Sequence, residues 1–284
     1  MPAVIGEFTS RHKHALGWLH IALVAGAIGV AVPVIAWSGG ATPSVSRALL
    51  IFAIATVAWC QNIGLVHHFA HHLPHGPRWL GLYAARLLHY LGGLPFTSTR
   101  LAHRLHHAHL GTPLDPDRLG YESTTTIWRR LRYLLLIGPL RARFAPVDVS
   151  HAISAMSPER RAQHERRCRS DRRLVVVTHL VLIALCGLYY PVVVAALLVA
   201  NVLSNVREMA EHGSDGSAAY VNLRVAPLGV LLLSTPGFWF HGIHHMDATI
   251  HYLDLPLASR TFPIKHNLPY LQRESAVAYL LTGR

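Results

Sequence analysis

Histidine is crowded into three short stretches of this chain: HHFAHH (His67 to His72), HRLHHAHLGTPLDPD (His103 to Asp117) and HGIHH (His241 to His245). On a helix, residues three or four apart project from one face. His67 and His71 do so, as do His103, His106 and His107, and again His241, His244 and His245. NVREMAEHG adds Glu208 and His212, also four apart. If the helix ends meet, nine imidazoles converge. Imidazole suits iron, copper, zinc and nickel and is a poor donor for magnesium or calcium. Nine donors exceed the needs of one ion, so two metals are implied. Each ligand must be neutral, with an outer group to fix its tautomer. Asp115 and Asp117 are placed to do this for the second stretch. Glu208 could do the same, or hold a water on a metal. His68 and His72 repeat the HxxxH spacing one residue on, and spacing alone leaves both registers open.

The elements that position these residues are membrane-like. Ala15 to Trp37 carries no charge and is long enough to span a core about 30 Å thick. It follows Arg11-His12-Lys13-His14, which places its start in the cytoplasm. A signal peptide would have a shorter apolar region, so the segment is read as a retained helix. SGGATPS (Ser38 to Ser44) reads as a turn, and Val45 to Val66 crosses back, so His67 emerges on the cytoplasmic side. Leu174 to Asn205 is either one overlong helix or two, broken between Gly187 and Pro191. Two crossings return the later histidines to the side of the earlier ones; one would strand them. The expectation is therefore four spans, about 15–37, 45–66, 170–188 and 191–212, with the third helix beginning among the arginines. Segments 67–169 and 213–284 are read as cytoplasmic or interfacial. Arg78 to Leu94 and Trp128 to Phe144 have the arginine-edged amphipathic pattern of helices lying in the headgroups, and Ala226 to Phe240 is short enough to be interfacial too.

Bulk composition agrees. Charged residues are 14% of the 284, against about 25% in ordinary soluble domains. The net charge of +12 is almost all arginine, because Lys13 and Lys265 are the only lysines. The arginines flank apolar runs and form no aromatic-interleaved patch, which argues against a nucleic-acid partner. The cysteines, Cys60, Cys168 and Cys186, are scattered and odd in number, so neither a disulfide framework nor a thiolate zinc site is expected.

The order HxxxH, HxxHH, late HxxHH on such a chain resembles the membrane fatty acid desaturase and hydroxylase superfamily, over roughly His67 to Pro269. GTPLDPD after the second box and REMAEHG before the third look like its bacterial members. The resemblance implies a single all-α integral membrane domain over 1–284, with two helical hairpins, interfacial helices and a histidine-rich cap on the cytoplasmic face of the inner membrane. It implies two non-haem iron ions held by His67, His71, His103, His106, His107, His212, His241, His244 and His245. It favours the His67/His71 register over His68/His72. Asp115, Asp117 and Glu208 would support these ligands. The implied reaction uses O2 and external electrons to desaturate an aliphatic chain, most commonly a fatty acyl lipid; a hydroxylase or ketolase acting on a lipid, carotenoid or other hydrophobic molecule shares the same boxes. The chain departs from the pattern in three places. His68 stands where an acidic residue often follows the first histidine. Glu208 stands where an asparagine is common. The third box lacks the Glu and Leu-Phe-Pro of front-end desaturases. No His-Pro-Gly-Gly haem motif is present, so electrons would come from a separate carrier such as ferredoxin, rubredoxin or cytochrome b5.

Other classes fit less well. A histidine-rich metal transporter would place ligands at mid-span, whereas these lie at span ends. A bis-histidine haem protein using His20 and His179 would need no boxes. The isolated histidines, and the flanking His109, His251 and His266, are read as packing, surface or supporting residues. Trp18, Trp37, Trp59 and Phe52 are read as lipid-belt or packing aromatics before tunnel walls.

Overall fold

The computed structural model describes residues 2–38, 40, 42–117, 126–135, 147–212, 221–223, 232, 240–266 and 271–273. The first apolar run forms α1 (Pro2–Gly26), a π-helical turn (Ala27–Ala31) and α2 (Val32–Trp37) as one rod. Pro33 sits just after that turn, where its missing N–H is accommodated. The second run forms α3 (Val45–His71). Ser44 caps it, its hydroxyl accepting from the Arg47 N–H at 3.3 Å.

Next come α4 (Arg78–Leu91), α5 (Phe96–His109), α6 (Ile127–Leu134) and α7 (Ser150–Ser154). α4 keeps Trp79, Tyr83 and Leu87 exposed while burying Ala85, Leu88 and Leu91. That two-faced apolar character suits a helix lying against lipid. α6 covers the start of the second amphipathic stretch; its remainder, residues 136–144, lies outside the described residues, as does most of the Ala226 to Phe240 segment.

The ambiguous third run is resolved into α8 (Pro158–Cys186), a 3-10 turn (Gly187–Tyr189) and α9 (Tyr190–His212). α8 begins well before residue 170, capped by Ser157 with Pro158 in its first turn. Gly187 has φ 53° and ψ −129°, a conformation essentially confined to glycine, and this is where the helix breaks. The break lies beside the first hairpin's loop: Trp37 Nε1–H donates to Leu185 O at 2.6 Å, and Tyr189 OH accepts from the Ser44 N–H at 2.7 Å. α9 then returns, packed most extensively against α3. His212 thereby reaches the end of the molecule that holds His67 and His71.

The short α10 (His241–Met246) carries the last box, followed by α11 (Leu255–His266). The one exception to an all-helical chain among the described residues is a three-residue parallel ladder, β1 (Val221–Leu223) with β2 (Leu271–Arg273), in register Val221 to Leu271.

Among the described residues, three helical segments are long and apolar enough to cross a membrane: Arg11–Trp37, Val45–His71 and the folded-back Pro158–His212. The protein is membrane-embedded. Leu19, Leu23, Val30, Val176 and Leu180 stand exposed along these segments, where lipid chains cover them. The interior is built from Ile28, Ile51, Trp59, Leu65 and Ala196, among others. Trp59 is fully buried there and Trp37 bonds the hairpin turn, so the packing reading of these aromatics holds. The cysteines are buried and unpaired.

Candidate metal centre

Two devices fix the helix that carries the second box. At its start, the buried Asp171 of α8 accepts from the Thr97 backbone N–H at 2.7 Å and from Tyr90 OH at 2.6 Å. A carboxylate at a helix N-terminus satisfies an orphan donor and opposes the positive end of the dipole. Further along, Arg100 and Arg104 donate from Nε to Ala70 O, at 3.0 and 3.2 Å, and Arg104 Nη2 reaches His71 O at 3.3 Å. These are the terminal carbonyls of α3, which need donors because the helix stops there. Arginines of α5, the helix of the second box, thus clamp the end of the first.

With the helices so held, the imidazoles meet in two groups. His67, His71, His103, His107 and His244 form one; each offers a ring nitrogen, and all five lie within 4.8 Å of one another. His106, His212 and His245 form the other on the same criterion. His241 joins the second group edgewise, its Nε2 lying 3.2 Å from His212 Nε2 and 2.8 Å from His245 Nε2. Stacking of His107 on His245, with centroids 4.2 Å apart, makes the groups neighbours. All nine expected residues are therefore brought together.

The alternative register faces elsewhere. His68 packs on His251 and Tyr252, and His72 Nε2 lies 2.5 Å from Ala248 O. His72 and His251 line a separate cavity of about 370 Å³ with Lys13, His14 and Asp254. His20 and His179 each engage a tyrosine hydroxyl, of Tyr252 at 3.2 Å and Tyr190 at 2.9 Å.

The donor set fits metal ions. Nε2 of His71, His103 and His107 is buried and has no hydrogen-bond partner among the described residues. Three such nitrogens aimed into one small space are costly unless a cation receives them. Burial pushes the imidazolium of His103, His241, His244 and His245 well below its ordinary value, and neighbouring rings add to this. For His107 the same causes lower it to about 2. These rings are neutral at physiological pH, the form that binds metal.

His106 is the exception. Burial lowers it, but its hydrogen bond to Asp115 and the charges of Asp117, Asp115 and Glu208 raise it overall. Its Nδ1 lies 2.9 Å from Asp115 Oδ1, which turns Nε2 toward the second group. Asp115 is itself buried and accepts the Asp117 N–H at 2.9 Å. Asp115 thus takes the position expected of a supporting carboxylate, while Asp117 acts on Asp115 and through its charge. Glu208 is half-buried with its charge near His106 and His212.

Sequence reasoning missed Glu211. It is 1% exposed, and its Oε2 lies 3.7 Å from His241 Nε2 and 3.6 Å from Arg207 Nε. The i, i+4 spacing drew attention to Glu208; Glu211 adjoins His212 and carries no spacing signal of its own.

A model of the fatty acid desaturase family matches residues 43–274, more than half of the chain. The protein belongs to that family, and membership makes it an oxidoreductase with a hydrophobic, lipid-like substrate. No curated protein matches the chain.

Proposed function

We propose that this protein is a non-haem di-iron oxidase that introduces a double bond into a fatty acyl lipid. The observation that carries the reading is the meeting of nine imidazoles as two adjacent groups, at the ends of helices that are otherwise apolar. Bound iron supplies the oxidising chemistry, the two-electron activation of dioxygen. The overall change is balanced as a methylene pair, O2, two electrons and two protons giving an alkene and two waters.

The chain's own residues hold and orient. His67, His71, His103, His107 and His244 form the first donor set, and His106, His212, His241 and His245 the second. Asp115 fixes His106 in the correct tautomer. Asp171, Arg100 and Arg104 hold the second box against the first. An apolar groove of about 520 Å³ between α1 and α3, lined by Leu23, Val24, Ala27, Ile54 and Val57 with the polar His20 and Gln61, supports a long hydrophobic substrate. We read the chain as one domain crossing the inner membrane four times, the Gly187 break lying on the far side. Arg11, Lys13 and the arginines of α8 favour a cytoplasmic metal face. Electrons arrive from a separate carrier of the ferredoxin, rubredoxin or cytochrome b5 kind.

Hydroxylation is the second reading, because the same donor set serves both outcomes and a shift of about 1 Å in the substrate carbon decides between them. The test is mass spectrometry of lipids from cells with and without the gene. Loss of two hydrogens is expected. Gain of one oxygen establishes the hydroxylase, and an unchanged lipid profile under aerobic growth with a competent electron donor removes both.

A further inference from the structure

The two imidazole groups are unequal: five donors gather in one and four in the other. Beside the smaller group lies Glu211, a carboxylate whose two oxygens are buried and make no hydrogen bond among the described residues. Its nearest charged neighbour is Arg207 on its own helix, with Nε at 3.6 Å, too long for a hydrogen bond. A carboxylate in such a place is costly to bury without hydrogen bonds or a strongly bound cation.

Direction of approach separates two roles for an acid near a metal-binding imidazole. An orienting carboxylate bonds the nitrogen that faces away from the metal, as Asp115 does at His106 Nδ1. Glu211 approaches the other nitrogen. Its Oε2 lies 3.7 Å from His241 Nε2, the same atom that meets His212 and His245 at 3.2 and 2.8 Å. Two donors of one ion, each about 2.0–2.2 Å from it, are separated by distances of this order.

We propose that Glu211 is a direct carboxylate ligand of the second metal, completing the group formed by His106, His212, His241 and His245. The pair of sites is then chemically asymmetric, one all-imidazole and one imidazole with carboxylate. A carboxylate is a harder, anionic donor than imidazole and stabilises the higher oxidation state of the ion that it holds. The inference rests on the di-iron reading above.

The test is iron content and Mössbauer spectroscopy of 57Fe-loaded protein purified from membranes. Glu211→Gln is expected to hold about one iron per chain in place of about two, with the signal of the smaller site lost. Glu211→His, which returns a donor, is expected to recover the second iron with altered Mössbauer parameters. If Glu211 only paired with Arg207, the glutamine variant would keep both irons and an unchanged spectrum, which overturns the proposal. A histidine variant that inserts in membranes yet holds one iron also overturns it, and carries the test alone where the glutamine variant fails to accumulate. Wild-type protein that binds no transition metal overturns the di-iron reading as well, so the two failures are distinguishable.

Discussion

Two imidazole clusters sit side by side at one end of this molecule, and they have opposite characters. In the inner cluster, ring nitrogens face one another: His67 Nε2 lies 3.1 Å from His244 Nε2, and buried nitrogens of His71, His103 and His107 have no hydrogen-bond partner among the described residues. In the outer cluster, nitrogens are spent on the backbone or rings stack. His72 Nε2 meets Ala248 O, His251 Nδ1 accepts the Leu253 N–H at 3.3 Å, and His14 stacks on His75 with centroids 3.9 Å apart. The same residue type, at the same helical spacing in the case of His67/His71 and His68/His72, thus serves two purposes. What sets the inner cluster apart as a candidate metal site is that its leftover nitrogens converge, whereas a single buried ring such as His89 also has one without a hydrogen-bond partner among the described residues.

The sharpest way to break this contrast is to remove an inner ring. His106→Ala or His244→Ala is expected to abolish turnover, with a rate fall of at least about a thousandfold and loss of iron, while the chain still inserts in membranes. Full activity in either variant would return that ring to the structural class. A smaller effect is expected at Asp115→Asn. The amide removes the charge that raises His106 and leaves a weaker, neutral hydrogen bond, so its imidazolium falls toward the low values of its neighbours. The ring is held less firmly, and iron affinity should drop about 10–100-fold. Unchanged occupancy in a chelator titration would show that Asp115 does not position His106. The smallest effect is expected in the outer cluster: His72→Gln should leave iron content intact and alter turnover by less than about threefold, the amide still donating to Ala248 O. Iron loss in that variant would move His72 into the inner set and erase the distinction.

Much of this arrangement was legible from local pattern. The 3- and 4-residue spacings of the boxes survive because helical geometry carries them directly into space. The apolar runs became helices, since an unsolvated backbone must close its hydrogen bonds within the segment, but the helices run past the apolar bounds, α3 to His71 and α8 from Pro158. Gly187 marked the break because few other residues tolerate its conformation. Less visible was the choice between His67/His71 and His68/His72, which differ by about 100° around one helix and have identical spacing. Which face turns inward depends on α5 and α10, distant in sequence. Glu211 was hidden for the same reason: its significance comes from His241, thirty residues on, and the chain around it looks like any helix end.

The sequence by itself determined the kind of chemistry available, imidazole in excess at the ends of membrane-length helices, because composition and helical period are local properties. Tertiary structure alone decided how nine rings divide into five and four, which register of the first box faces the other boxes, and which carboxylate stands behind a ring or in front of one. Those choices turn on ångström-scale approaches between α3, α5, α9 and α10, and close packing of the whole chain, not any one segment, sets such distances.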